Sequence, residues 1–436
     1  MNAKFTRSIR EYGYLLDGLG HAASENTVAI PHSAFKYLLS YIQDDKCDVD
    51  FAPFLKLTTF QRKTALKVQN YVGVLQTPCG TQIEVLPKLY VSGADESLEI
   101  TRSQLITMLR CLRESPFKQA GSADIYDTKM PLLEVYISQF LLLTNQLVKR
   151  GIRSDYVRER KNAKYLKGRL LVSQQIRSNM LHPERFAIEC DEYLVNRPAN
   201  RLIKTTLSRV ARVSKNSRNQ RLARELSFVF EDVPLSTDIR ADFQQVKTGR
   251  SMEYYLAVLA WCRLLLNNDG PTASTGSFDT LSLLYPMERI FEDYVAHCLR
   301  PTLDKYFEPG TELKTQAAKH SLVEEHEGKT IFNLRPDLLV LKDKETLCVM
   351  DTKWKLLDSS DRGNKYGISQ PDMYQLYAYG HKYLKGQDQK RLMLIYPKTD
   401  KFQEALPAFH YEDGFRLDAV PFDLEKGELV CGGILF

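Results

Sequence analysis

Along the chain the period of apolar positions changes twice. In residues 1–95 it is close to two. The runs TALKVQNYVGVLQTP and TQIEVLPKLYV flank Cys79-Gly80 and are rich in Val, Ile, Leu and Tyr. That pattern predicts a β-hairpin over 64–90 with alternate polar residues exposed. One short helix, SAFKYLLSYIQ at 33–43, interrupts the strands, with Ser33 as its N-cap. From 96 to 270 the period turns helical, with helices expected near 97–114, 129–149, 192–215, 236–246 and 250–267. The stretch NNDGPTASTGS at 267–277 is rich in Gly, Ser, Thr and Pro and marks a domain boundary. Beyond it comes a helix, MERIFEDYVAHCLRPTLDKYF, then a strand or two before 320. A hairpin, RPDLLVLKDKETLCVMDTKWK at 335–355, is followed by the helix QPDMYQLYAYGHKYL at 370–384 and the strand RLMLIYP at 391–397. The expected fold class is therefore α+β and multidomain. A β-rich domain covers 1–95, a helical middle region 96–270, and an α/β domain of order αβββαβ covers 276–436.

The 335–355 hairpin holds the candidate chemistry. With a three-residue loop, Asp343-Lys344-Glu345, Lys342 pairs with Thr346 and Asp337 lies opposite Asp351 on the same face. Lys353, two residues on, points the same way. A two-residue loop would put the two aspartates on opposite faces, so the constellation needs the longer loop or a bulge that restores the parity. Both strands are otherwise apolar on both faces, which is the pattern of central, buried strands. Two carboxylates converging there repel each other, and burial adds several kcal/mol per ion. A divalent cation removes both problems. Mg²⁺ suits oxygen ligands completed by water. A bound metal acidifies a water and steadies charge on a phosphoryl oxygen, and a nearby lysine assists. The bland alternative is a strand-end aspartate beside a surface Asp351–Lys353 ion pair.

Composition narrows the class without deciding it. The chain has 436 residues, 43% hydrophobic and 26% charged, enough for two or three ordinary domains. Its net charge of +6 permits contact with a polyanion but does not demand it. Basic residues concentrate at 149–177 and 209–224. These segments read equally as a sequence-independent DNA track or as solvated faces and docking charges for a partner. The eight cysteines form no C-x-x-C pair, so reduced thiols are expected rather than a zinc site. The opening MNAKFTRSIREYGYLL lacks the apolar core of a secretion signal. The most apolar helical stretch, 131–148, carries Glu134, Gln139, Asn145 and Gln146 and is too polar to span a bilayer. A cytoplasmic protein is expected. There is no G-x-x-x-x-G-K-[ST] loop, so any nucleotide-driven motor must reside on another chain.

The order αβββαβ, with Pro336-Asp337 and Asp351-Thr352-Lys353 on adjacent strands, resembles the PD-(D/E)XK nuclease superfamily. The resemblance implies a metal held by Asp337, Asp351 and the Thr352 carbonyl, with Lys353 near the attacking water. It also implies a glutamate from the first helix. Glu288 and Glu292 share a helix face, and Glu292 is favoured by its IFEDYV context. Gln375 and Tyr379, at i and i+4, resemble the Q-x-x-x-Y helix of RecB-like nucleases. NYVGVLQTPCGTQIEVLPKLY, YLKGRLL at 165–171, EYLVNRPANRLIK at 192–204 and the MERIFEDYV…RPDLLV…DTKWK group resemble, in order, the McrC family, the nuclease subunits of McrBC restriction systems. That resemblance implies a Mg²⁺-dependent endonuclease that cleaves double-stranded DNA. It would work with an AAA+ GTPase ring, McrB-like, which reads the modified base, docks on residues 1–95 and is stimulated in its hydrolysis. Competing readings are a non-cutting adaptor for the ring and a stand-alone repair nuclease.

Overall fold

The computed structural model describes residues 6–18, 26–43, 54–89, 96–112, 130–246, 252–266, 281–387 and 389–431. The boundary expected at 267–277 lies outside them. The chain is mixed α and β with several sheets. It forms two compact units, one of residues 1–118, 127–129 and 274–436, the other of residues 119–126 and 130–273.

The first unit begins with two four-stranded sheets. One has the order Thr6–Arg10, Gln82–Leu86, Tyr71–Gln76, Leu281–Pro286. The other has the order Thr27–Ile30, Tyr14–Asp17, Lys63–Val68, Leu55–Phe60. The helix expected at 33–43 is His32–Gln43. The first expected hairpin strand divides, because Lys63–Val68 pairs in one sheet and Tyr71–Gln76 in the other. Its polar positions face water in Lys63–Val68, where Thr64 is exposed and Lys67 half-buried, but not beyond. Every residue of Tyr71–Gln76 and Gln82–Leu86 is buried. Leu75, Ile83 and Val85 join a core with Ile9, Phe35 and Leu284. On the opposite parity, Glu84 is held by Arg102 of helix Glu96–Cys111 through bonds of 2.8 and 2.7 Å. The alternation is real, but its polar side meets a helix.

Strand Leu281–Pro286 runs antiparallel to Tyr71–Gln76 and leads directly into helix Met287–Thr302. Gly73, at φ +132°, permits that pairing, since a Cβ there would lie 2.0 Å from the Leu283 carbonyl oxygen. Beyond the helix, a sheet has the order Glu312–Thr315, Leu338–Lys342, Glu345–Thr352, Lys390–Pro397, Phe415–Asp423, Phe409–His410, with Glu428–Leu429 also paired to Phe415–Asp423. Its three central strands are parallel. Leu417 and Ala419 belong to the core that includes Leu376 and Tyr379 of helix Gln370–Tyr383. Phe422, of opposite parity, packs on Phe291 and Tyr294. The two helices therefore cover opposite faces of the sheet. A separate two-stranded hairpin, His320–His326 with Lys329–Leu334, is inserted before the central strands.

The 335–355 hairpin turns on two residues, not three. Asp343 and Lys344 have φ of 52° and 73°, and Lys342 pairs with Glu345. Two left-handed residues make the turn whose twist suits a tight hairpin. The register then shifts between Val340 and Leu341, so that Leu338 faces Met350. The expected three-residue loop is absent, and a bulge restores the parity instead.

The second unit is not purely helical. Helices Leu132–Arg150, Pro198–Val213, Ser217–Val229, Ile239–Gln245 and Glu253–Leu266 accompany a sheet of Asp155–Ala163, Phe186–Leu194 and Arg169–Leu170, with helix Val172–Asn179 against it. The helix expected at 192–215 starts only at Pro198, because 186–194 is strand. Much of the basic segment 149–177 is thus β. Its charges are answered across the ladder, Arg160 by Glu189 at 2.8 Å and Arg158 by Asp191 at 3.3 Å. The second basic cluster spans the end of one helix and most of Ser217–Val229, which Asn216 caps. Asn200 and Arg201 are structural. Asn200 bonds the Arg153 and Val195 carbonyls, and Arg201 bonds Asp242. Seven of the cysteines are free thiols among the described residues. Among those residues no helix is long and apolar enough to cross a membrane.

Candidate active site

With the bulge in place, the register carries Asp337 to a position opposite Asp351. Asp337 Oδ2 accepts bonds from the Thr352 backbone N–H at 2.8 Å and the Thr352 hydroxyl at 2.7 Å. Asp351 is 2% exposed, and Lys353 Nζ lies 2.6 Å from its Oδ2. Lys353 Nζ also donates to Gln375 Oε1 at 3.0 Å. Gln375 Nε2 donates to the Tyr379 hydroxyl at 2.7 Å, which donates to the Arg335 carbonyl at 3.2 Å. The chain of bonds thus returns to the residue before Pro336-Asp337. Helical spacing explains the last links, since i and i+4 side chains lie one above the other.

A cleft of about 670 Å³ opens over this group, lined by Glu288, Arg289, Glu292, Asp337, Thr352 and Lys353 among others. Asp351 is not part of its lining and sits behind Lys353. Both candidate glutamates reach the cleft. Glu292 accepts from Gln316 Nε2 at 2.7 Å, and the Gln316 N–H donates to the Asp337 carbonyl at 3.0 Å. Glu288 instead lies within electrostatic reach of Glu11 and Lys88.

Burial and the neighbouring Asp337 charge push the Asp351 carboxyl up to about 7, against the pull of Lys353. Burial works against the Lys353 ammonium, yet Asp351, Asp337 and Asp372 hold its pKa above the usual lysine value. Three contributors escape the motif reading. Gln316 ties Glu292 to the Asp337 strand. Trp354 is buried beside Lys353. Lys355 bonds the buried Asp372 at 2.6 Å and Ser369 at 3.0 Å. The second lysine of DTKWK was the available signal for that pair.

Among the described residues, no group of three or more His, Cys, Asp or Glu side chains is arranged to hold a metal. The excess negative charge on a buried, strongly shifted carboxylate nonetheless fits a hard cation, and Mg²⁺ usually takes only one or two carboxylates and fills its shell with water. A pH test follows. An acid whose native pKa is raised keeps its proton after the unfolded chain has lost it. Metal-free stability should therefore fall as pH rises from about 4 to about 7 and then level off. Asp351→Asn removes that slope. In chelator, its advantage in Tm over the wild type should be larger at pH 8 than at pH 5. An advantage independent of pH would contradict the shift.

The family model described as McrBC 5-methylcytosine restriction system component matches residues 66–397. The type IV methyl-directed restriction enzyme EcoKMcrBC of Escherichia coli (strain K12) is 25% identical over 269 residues, covering 58% of this chain and 74% of that protein. Among solved structures, the refined half-complex from the tetradecameric assembly of Thermococcus gammatolerans McrB AAA+ hexamers with bound McrC contains a similar chain. Its TM-score is 0.68 at 18% identity, over 97% of this chain and 95% of that one, a likeness of fold. With most of its length matched, the chain belongs to the McrBC 5-methylcytosine restriction system component family, and its fold is of the McrC type.

Proposed function

We propose that this chain is the Mg²⁺-dependent endonuclease subunit of a McrBC-like restriction system. It cuts phosphodiester bonds of double-stranded DNA when assembled with an McrB-like AAA+ GTPase ring, whose hydrolysis it stimulates. The ring docks on the amino-terminal β-region and reads the modified base. The observation that supports the reading best is the buried Asp351, opposite Asp337 and in contact with Lys353, both of which line an open cleft. An ion pair that served only the surface would not be sunk this deep. A mixed sheet with a helix on each face supports reading this region as a PD-(D/E)XK core.

Asp337, Asp351 and the Thr352 carbonyl would hold the metal, with Glu292 joining from the helix. Bound there, Mg²⁺ supplies an acidified water and neutralises charge on the phosphoryl oxygen. The protein's own groups do the rest. Asp337 is fixed by its two bonds from Thr352. Lys353 keeps its proton beside Asp351 and presents an ammonium to the charge that develops during attack. Gln375 and Tyr379 hold that ammonium against the Arg335 turn. The basic faces of residues 149–177 and 209–224 take either DNA phosphates or the ring.

Co-purification with an AAA+ GTPase, and nicking that depends on it, on GTP and on Mg²⁺, tests the whole reading. GTP stimulation without any nicking would leave an adaptor. Lys353→Ala probes the site itself. It should abolish nicking yet retain metal binding by calorimetric titration with Mg²⁺ or Mn²⁺, because the lysine is not a ligand. Wild-type cutting by this variant would make Lys353 a bystander.

A further inference from the structure

Trp354 follows Lys353 directly and is 3% exposed. Its indole Nε1 donates to Glu11 Oε1 at 2.6 Å, a contact between residues 343 positions apart. Its ring lies 5.3 Å, centroid to centroid, from Phe291, the neighbour of Glu292. One side chain therefore touches the helix that lines the cleft and a turn of the amino-terminal β-region.

Glu11 is itself 2% exposed. Its Oε1 also accepts from the Lys88 N–H at 3.0 Å, while its Oε2 has no hydrogen-bond partner among the described residues. Burial raises its pKa, with the Lys88 charge opposing. The next residue, Tyr12, sits at φ +64°, a conformation that L side chains seldom adopt. Lys88 Nζ lies 4.4 Å from the centre of its ring. A packing role alone would be met by an apolar side chain. A half-satisfied carboxylate in a strained turn is the kind of local violation that functional sites retain.

The backbone shows what the contact governs. The Lys353 N–H donates to the Ile395 carbonyl at 2.9 Å, and the Lys355 N–H turns back to the Lys353 carbonyl at 3.0 Å. Lys355 is then fixed by Asp372. The chain bends about Trp354, so a rotated indole would swing Lys353 away from Asp351 and Gln375.

We infer that Glu11 is a positioning residue of the nuclease centre: by holding the Trp354 indole, it sets Lys353 against Asp351, so that the amino-terminal β-region completes the site. The inference rests on the endonuclease reading. Glu11→Leu removes the acceptor, Trp354→Phe removes the donor, and Glu11→Gln keeps an acceptor. The full chain, assembled with its GTPase partner, is assayed under single-turnover conditions, where the rate constant does not depend on the fraction of folded protein. Glu11→Leu and Trp354→Phe should each lower that constant by about 10- to 100-fold, the scale of a misplacement near 1 Å. The concentration of folded protein at half-saturation should not move, and Glu11→Gln should restore the rate.

The chain has two tryptophans, so a Trp261→Phe background isolates the Trp354 emission. That emission should shift in Glu11→Leu and not in Glu11→Gln. An unshifted emission overturns the contact. A rate constant unchanged in both Glu11→Leu and Trp354→Phe, even with a lower Tm, overturns the positioning role alone. If Glu11→Leu does not fold, Trp354→Phe and Glu11→Gln still decide. A wild-type chain that never cuts overturns the endonuclease reading, and the positioning role with it.

Discussion

Asp351→Asn should reduce DNA cleavage by at least about 10²- to 10³-fold, the scale of losing one preorganised charge-stabilising group, while the protein melts no lower than the wild type. The two halves of that result have one cause. Asp351 is an anion where an anion is disfavoured, since burial and Asp337 already push its carboxyl up to about 7. A neutral amide of the same shape relieves both effects. It leaves Lys353 without its closest counter-charge, but that ammonium keeps its bond to Gln375. Asp337→Ala should lose cleavage just as fully and differ in stability. The Thr352 N–H and hydroxyl both donate to Asp337, and stranding them costs about 1–3 kcal/mol each where water cannot replace the acceptor. Asp337→Asn, which keeps an acceptor, should recover most of that loss and none of the activity. Plasmid nicking and thermal melts on the same preparations decide the matter. Near-normal Mg²⁺-dependent cutting by either variant would sink the assignment of these carboxylates to a metal.

Much of this geometry is legible in the sequence because β parity is a strict rule. Once two apolar runs are known to pair, only the loop length and any bulge decide which residues share a face. Asp337, Asp351 and Lys353 come from that arithmetic, and Gln375 with Tyr379 from the helical period. The mode of parity correction is not legible. Asp343-Lys344 lacks the glycine that usually signals a two-residue turn, and a bulge depends on packing rather than on residue type. The sheet in the second unit is hidden for another reason. Its strand 155–163 carries its alternation in charges answered by Glu189 and Asp191, so the apolar period is weak. Long-range pairings leave the faintest trace. Nothing near Leu281 announces that its neighbour is Tyr71–Gln76, and nothing near Trp354 announces Glu11. Gly73 is the one local hint, and it says only that some backbone comes close.

That hidden strand carries the second large prediction. Residues 276–436, expressed alone, should fail to give a soluble domain with a cooperative melt. Strand Leu281–Pro286 would lose Tyr71–Gln76, its only partner strand among the described residues. Leu284, fully buried among amino-terminal residues, would be exposed, and burying one such side chain contributes about 1.5–3 kcal/mol. The Trp354 N–H would lose its acceptor Glu11, together with the amino-terminal residues around it. Against a total stability of about 5–15 kcal/mol, these losses are decisive, and the freed strand edge invites aggregation. Gly73→Ala in the full chain offers a gentler version of the same test. Its Cβ would meet the Leu283 carbonyl oxygen at 2.0 Å, in a backbone conformation strained for any L residue, so the two strands must part. It should lower Tm and cleavage together, because the strand it displaces runs straight into the helix bearing Glu288 and Glu292. A soluble 276–436 fragment that melts cooperatively within a few degrees of the whole chain would show instead that the carboxy-terminal core is independent. The amino-terminal sheet would then be an attachment rather than a part of the site.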